Sequence, residues 1–171
     1  MRVLVIMLMY ISSLHAQEGD QMKTVEYVDM ERFSGKWFVT AIVPNMIENG
    51  ASNASDIYEV NTDGTIDITY DAIKDGTKKQ IKQKGTIVNK KTNAEWSIQM
   101  KKPYIPFLKF PFKIILIDDN YNYMAVGYPG NKMGWIMCRD TVMDETLYQT
   151  ILTELTSFGY KREQFVKILH N

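Results

Sequence analysis

From residue 37 to residue 139 the chain alternates apolar and polar positions with a period of two, and Gly, Asp, Asn and Pro interrupt the pattern at short intervals. A period of two sends successive side chains to opposite faces of a pleated strand. Trp37, Val39 and Ala41 share one face of a first strand, and Tyr58 and Val60 share one face of a second. Asp63-Gly64 then reads as a tight hairpin turn, because both central positions favour positive φ. Ile66, Ile68 and Tyr70 continue on a third strand, and Asp75-Gly76 marks the next turn. On the fourth, Ile81, Gln83, Gly85 and Ile87 face one way and Gln80, Lys82, Lys84 and Thr86 the other. Trp96, Ile98 and Met100 form the inner face of a fifth. Residues 112–118 are a nearly unbroken apolar run, as in a strand buried on both faces. Residues 123–128 and 133–139 complete a set of eight, separated by Pro129-Gly130-Asn131.

Eight consecutive strands with no helical crossover predict an all-β fold, an antiparallel up-and-down barrel whose closure removes both sheet edges. An open sandwich is the competing arrangement. Beyond residue 139 the period changes. Leu147, Ile151, Leu152 and Leu155 recur at three-to-four spacing, predicting one α-helix over 144–158 packed on the outside of the barrel. Thr141 with Asp144 three residues on resembles a capping box, and Gly159 is placed to end the helix. Residues 165–168 read as a short strand-like tail.

At 171 residues the chain is long enough for one domain with a core that needs no staples. Residues 1–16 read as a signal peptide: Arg2 supplies the positive start, residues 3–11 an apolar stretch too short to span a bilayer, and Ala16 the small residue before the cut. Residues 17–171 form the mature domain, expected to be secreted, extracellular or periplasmic. No Cys follows the cut, so anchoring through a lipid-modified N-terminal Cys is not expected. Cys138 is the sole cysteine, so an internal disulfide is excluded and packing alone must hold the fold. Twenty basic residues balance 20 acidic ones, which gives no reason to expect a nucleic-acid partner. The balance leaves oligomeric state open.

Three segments narrow the fold further. Gly35-Lys36-Trp37 follows a short helical-looking turn at Val28-Asp29-Met30-Glu31-Arg32-Phe33; Asp118-Asp119-Asn120-Tyr121 lies further on, and Trp135-Ile136-Met137-Cys138-Arg139 comes last. In this order and spacing they resemble the lipocalin family, particularly its bacterial outer-membrane and apolipoprotein-D-like branch, over residues 28–168. The resemblance implies an eight-stranded barrel that carries a small lipophile, a fatty acid or a lysophospholipid. It also implies that Gly35, Trp37, Asp118, Tyr121 and Arg139 are structural: Trp37 lies across the closed base, Arg139 stacks on it by a cation–π contact, and Asp118 and Tyr121 shape a turn at the same end. Animal members usually carry disulfides, so the single thiol suggests a bacterial or protist-like source. Asn53-Ala54-Ser55 fits a glycosylation acceptor, which matters only in a eukaryote.

An eight-stranded barrel has room for one small ligand. The expected ligand-binding lining is Val39, Ala41, Tyr58, Val60, Ile68, Tyr70, Ile87, Trp96, Ile98 and Met100, with Ile66 and Ile81. It is almost wholly apolar, with tyrosine hydroxyls as the polar handles, and suits an acyl chain or a flat hydrophobic ring. Any one of these side chains is as well explained as filling of the core. A bilin or other pigment is the alternative ligand. Neither metal ligands nor a cofactor is expected, because no His, Cys and carboxylate cluster has ligand spacing. Catalysis finds little support: after cleavage His170 is the remaining histidine, one residue from the end. A lipid-metabolising enzyme of this family would need Cys138 inside the barrel, whereas alternation with Trp135, Met137 and Arg139 turns it out, where a small buried hydrophobe suffices.

Two surface features complete the picture. Lys78, Lys79, Lys82, Lys84, Lys90 and Lys91 surround one hairpin, and their alternation with Ile81 and Ile87 makes them the wet outer face of a strand pair rather than a lipid-binding patch. Residues 102–111 read as a loop with three prolines and five apolar side chains, a poor soluble surface that points to a barrel-mouth cover or a peripheral membrane contact.

Overall fold

A computed structural model describes residues 22–171; the 1–16 leader lies outside the described residues. A single helical turn, α1 (Met30–Phe33), precedes eight strands: β1 (Gly35–Ile42), β2 (Ala51–Val60), β3 (Thr65–Lys74), β4 (Thr77–Ile87), β5 (Glu95–Lys102), β6 (Tyr104–Ile117), β7 (Tyr123–Gly127) and β8 (Gly134–Cys138). α2 (Glu145–Leu155) and a two-residue strand, β9 (Val166–Lys167), follow. Each of β2 to β8 pairs antiparallel with its neighbour in sequence, and β1 pairs with both β8 and β2. The sheet is therefore the closed up-and-down barrel that the alternation predicts.

Closure between β1 and β2 is made in two parts. At one end Gly35–Phe38 pairs directly with Ser55–Tyr58. Toward the other end β2 pulls away, and β9 takes its place, pairing Ala41 with Lys167 and Ile42 with Val166. The tail reaches β2 as well: Asn53 N donates to Leu169 O at 2.8 Å, and Asn171 N donates to Asn53 Oδ1 at 2.8 Å. The C-terminus thus fills the seam of the barrel.

Two apolar layers form. One is the barrel interior, with Phe33, Trp37, Val39, Tyr58, Ile66, Ile68, Trp96, Ile98, Ile114, Met124 and Met137 among its members. The other lies between the barrel wall and α2, where Tyr148, Ile151, Leu152 and Leu155 cover Ala41, Ile115, Leu116, Ala125 and Ile136. Residues 114–116 reach both layers, which explains the unbroken apolar run. Ala41 corrects the expectation that it lines the interior with Val39. Val39 sits opposite Met137 but Ala41 sits opposite Ile136, so Thr40 is an extra residue in the ladder and the bulge turns Ala41 outward, beneath α2.

The cap of α2 is also corrected. Asp144 is itself the N-cap, its carboxylate accepting from Leu147 N at 3.0 Å, and Thr141 has no part in it. A 3-10 turn at Thr156–Phe158 ends at Gly159, whose φ of 84° lies in the left-handed region. A Cβ there would stand 2.7 Å from Asn131 Nδ2 and displace that amide from the Phe158 carbonyl, but it is the backbone conformation that calls for glycine. Residues 102–111 prove to be hairpin rather than loop: β5 and β6 pair as far out as Lys101 and Tyr104, and the arms project beyond the barrel with residues 101–109 exposed.

Candidate ligand-binding site

The floor of the barrel is built by α1 and the ends of β1, β2, β5 and β6. Asp29 caps α1, accepting from Glu31 N and Arg32 N, and this presents Phe33 to the interior. The Phe33 ring stands 5.5 Å from Trp37, 5.0 Å from Tyr58 and 5.2 Å from Trp96, the last two edge-on. Trp96 in turn stacks on Phe112 at 4.8 Å. Five rings therefore plug this end, in the offset and edge-to-face geometry aromatic quadrupoles prefer.

Arg139 locks the plug from outside. Its guanidinium lies 3.8 Å over the Trp37 ring. Nη1 donates to Lys36 O at 2.8 Å, and Nη2 lies 2.8, 2.9 and 3.1 Å from the carbonyls of Arg32, Phe33 and Ser34. Those carbonyls terminate α1 and lack helical partners, so the cation satisfies them as a C-terminal cap would. Gly35 follows them with a φ of 98°, in the left-handed region that favours glycine. Tyr121 and Asp118 sit at the same end. Asp118 Oδ2 accepts from Asn122 N in the β6–β7 turn, Tyr121 O accepts from Arg139 Nε at 3.3 Å, and the Tyr121 hydroxyl accepts from Asp29 N at 2.8 Å.

Above this floor a cavity of about 780 Å³, counting its mouth, opens at the opposite end. Successive strands wall it by cross-strand rows: Asp56, Tyr70 and Ile81 form one, and Tyr58, Ile68, Gln83 and Met100 another. Ile98, Phe110, Phe112, Trp135 and Met137 complete the barrel wall, and Asn45, Ile47, Glu48, Tyr128 and Met133 form the rim from the β1–β2 and β7–β8 connections.

Of the expected lining, Tyr58, Ile68, Tyr70, Ile81, Ile98 and Met100 are on the cavity wall. Trp96 and Val39 are buried in the core but not on that wall, Trp96 because it belongs to the aromatic floor. Ile66 and Ile87 likewise pack in the interior off the cavity. Val60 is 41% exposed, because β2 runs out of the barrel at its floor end after Tyr58. Cys138 is buried, follows the cavity-lining Met137 in alternation and is absent from the cavity wall. His170 Nε2 lies 2.8 Å from the Val39 carbonyl, so the tail does fold back, onto backbone rather than a nucleophile.

The wall is less apolar than the expected lining. Glu48 is only 6% exposed; its Oε2 accepts from Asn45 Nδ2 and Trp135 Nε1, both at 2.6 Å. Asp56 also faces the cavity and accepts from the Tyr58 hydroxyl at 3.3 Å. Burial raises the Glu48 carboxyl above the usual range, opposed by those two hydrogen bonds and by Lys74. Burial, then the charge of Glu48, pushes Asp56 well above it. The Tyr70 hydroxyl is buried with no hydrogen-bond partner among the described residues. Asp56 was legible, standing two residues before Tyr58 on the same face of β2, had the strand been extended backward. Glu48 belongs to an irregular connection, where no periodicity marks direction. Among the described residues no group of three or more His, Cys, Asp or Glu is placed to hold a metal ion.

Above the rim the surface is apolar. Met46 is 96% exposed and Phe107, in the β6 bulge between the Lys101–Tyr104 and Gln99–Lys109 pairs, 97%; Tyr104, Ile105 and Leu108 flank it among Lys101, Lys102 and Lys109.

Comparison with known proteins agrees with this architecture. Temperature-induced lipocalin-1 of Arabidopsis thaliana is 25% identical over 150 residues, covering 84% of this chain and 80% of the relative. Outer membrane lipoprotein Blc of Vibrio cholerae serotype O1 is 20% identical over 152 residues, covering 87% and 86%. Among solved structures, insecticyanin of the tobacco hornworm Manduca sexta superposes with a TM-score of 0.70 at 17% identity, covering 86% of this chain and 83% of that one. Lobster apocrustacyanin A1 does so with a TM-score of 0.66 at 16% identity, covering 84% and 80%. The lipocalin-like domain model matches residues 28–170, nearly all of the described chain, and with its barrel, its plugged floor and its arginine-locked tryptophan the protein belongs to the lipocalin family.

Proposed function

We propose that this protein is a non-enzymatic carrier that binds, stores or transports a lipid bearing one long alkyl chain, of the fatty acid or lysophospholipid class, inside the barrel. The observation that carries this reading is the cavity: closed at one end by five aromatic rings, open at the other, and walled by Ile68, Ile98, Met100, Phe110 and Met137. Each buried CH₂ contributes about 0.8 kcal/mol. Micromolar affinity, about −8 kcal/mol, therefore needs roughly ten buried methylenes before ordering costs. A bilin or similar planar pigment is the second reading, favoured by the flat faces of Phe112, Tyr58 and Trp135 on the wall.

Titration of the purified protein with lysophosphatidylcholine, oleate and biliverdin decides between them. Trp135 lies on the cavity wall and is the fluorophore expected to respond. Binding of the lipids below about 100 μM, lost in a folded Met100→Trp variant that fills the cavity, supports the carrier of alkyl lipids. Tight binding of biliverdin alone would transfer the assignment to the pigment reading.

The site of action proposed is outside the cytoplasm, secreted or periplasmic, on the strength of the 1–16 leader and the similarity to an outer membrane lipoprotein. There the β5–β6 hairpin provides a peripheral contact with an anionic lipid surface: Phe107 and Leu108 insert while Lys101, Lys102 and Lys109 meet headgroups. Phe107→Ser with Leu108→Ser should abolish sedimentation with phosphatidylglycerol vesicles and leave lipid titrations in solution unchanged.

A further inference from the structure

Carboxyl groups buried, as Glu48 is, or half-buried, as Asp56 is, in an apolar cavity need a partner or a proton. Glu48 and Asp56 have no ion-pair partner within 4.0 Å among the described residues, where the salt bridges are Lys113 with Glu95 and Lys167 with Glu145. Lys74 is the cation whose charge Glu48 feels, and its ammonium is committed to the backbone carbonyls of Met46 and Ile47, at 3.2 and 2.9 Å. Asp71 adds a further negative charge felt by Asp56. From β4 to β8 the cavity wall consists of Ile81, Gln83, Ile98, Met100, Phe110, Pro111, Phe112, Trp135 and Met137 and contributes no charge. The cavity therefore holds two carboxyl groups with no cation to pair with among the described residues, within apolar walls. A second observation, independent of the acids, points to a ligand: the hydroxyl of Tyr70, which is 4% exposed and lies on the cavity wall, has no partner. Its residue pairs across the sheet with Asp56, so hydroxyl and carboxylate belong to one row of the wall.

Resting on the carrier reading above, we propose that the cavity selects alkyl lipids whose head bears a cationic nitrogen, held by the carboxylates of Glu48 and Asp56 and by the hydroxyl oxygen of Tyr70. An ammonium N–H donates to each of these oxygens, and the faces of Tyr58 and Trp135 favour a cation over a neutral head. A fatty acid carboxylate would meet like charge at the same place, so of the two lipid classes proposed above this narrows the ligand to the lysophospholipid side. The head can come from a free long-chain amine or from a choline-bearing lysolipid. The two differ in that a quaternary nitrogen has no N–H to give to Tyr70.

The test is a matched series on the full chain: dodecylamine, dodecyltrimethylammonium, 1-dodecanol and dodecanoate, each titrated below its critical micelle concentration at about pH 8, where the acids are most ionised. Both ammonium probes should bind about tenfold or more tightly than dodecanol, the effect of one charge-assisted hydrogen bond or ion contact, and dodecanoate more weakly than dodecanol. Affinity for dodecyltrimethylammonium, whose own charge is fixed, should fall as pH is lowered, because cation binding must then displace protons from Glu48 and Asp56. Glu48→Gln with Asp56→Asn should lose the preference for the ammonium probes over dodecanol. Tyr70→Phe should weaken dodecylamine alone, whereas an equal loss for lysophosphatidylcholine would assign Tyr70 to shape rather than to donation from an amine. Dodecanoate binding as tightly as dodecylamine, or a preference surviving in the double variant, overturns the proposal and leaves the carrier reading standing. If none of the four probes binds, the carrier reading falls with it. Should the double variant misfold, the wild-type order of affinities and its pH dependence decide alone.

Discussion

Replacing Arg139 with Met isolates the guanidinium that holds the barrel floor shut, because the methionine keeps most of the apolar stem. The structure sets the size of the loss. The guanidinium has five carbonyl contacts, at 2.8, 2.8, 2.9, 3.1 and 3.3 Å. Three of them share the two protons of Nη2, so about four proton–acceptor bonds operate. At a half-buried site each is worth about 0.5–1 kcal/mol net. The stack on Trp37 at 3.8 Å adds about 1 kcal/mol. Arg139→Met should therefore cost about 3–5 kcal/mol, a value large for a side chain that is not in the interior. Urea unfolding followed by tryptophan fluorescence measures it, with an unchanged slope required for the midpoint shift to be read as stability. Arg139→Lys should recover less than half, since an ammonium lacks the planar fork that reaches β1, α1 and the β6–β7 turn together. Lipid affinity of the folded fraction should stay within about twofold, because the guanidinium and the cavity lie on opposite sides of the aromatic floor. A loss below about 1 kcal/mol, or full rescue by Lys, would refute the floor-lock reasoning.

Other outcomes are open to measurement. Cys138 is buried and burial raises its thiol above the usual range, so native labelling should be slow, unaffected by lipid, and Cys138→Ser should bind lipid as the parent does. Ile168 is buried where the tail closes the seam, so Ile168→Asp should destabilise by about 2–4 kcal/mol and speed amide exchange at Ala41 and Ile42, which β9 covers. Asp56 has a carboxyl pKa raised by folding, so the folded state holds its proton more tightly than the unfolded chain. Its contribution is fully present below the ordinary carboxylate pKa and is lost as pH rises from there through the folded value, so thermal stability should fall over that window in the parent and fall less in Asp56→Asn. A steeper decline in the variant would contradict that account.

The sequence by itself determined the barrel, its strand order, the outer helix and the floor. The first three follow from local signals: a period of two names an inward face and Gly64 and Gly76 name turns; the floor follows from the lipocalin resemblance that Trp37, Tyr121 and Arg139 carry, which implies one closed end. The choice among inward-facing residues needed the tertiary structure. Trp96 and Met100 alternate on the same face of β5, yet one packs the floor and the other lines the cavity, because depth along a barrel depends on where α1 inserts Phe33. One extra residue at Thr40 reverses Ala41, since a single insertion in a ladder exchanges the two faces and leaves no compositional trace. Residues 102–111 read as loop from sequence because three prolines and a glycine-free apolar run show no alternation, but pairing at a projecting edge tolerates them. Glu48 is not legible in the sequence for the most general reason: it sits in an irregular connection, and only closure of the barrel brings it to the indole N–H of Trp135 and near enough to Asp56 for its charge to be felt there.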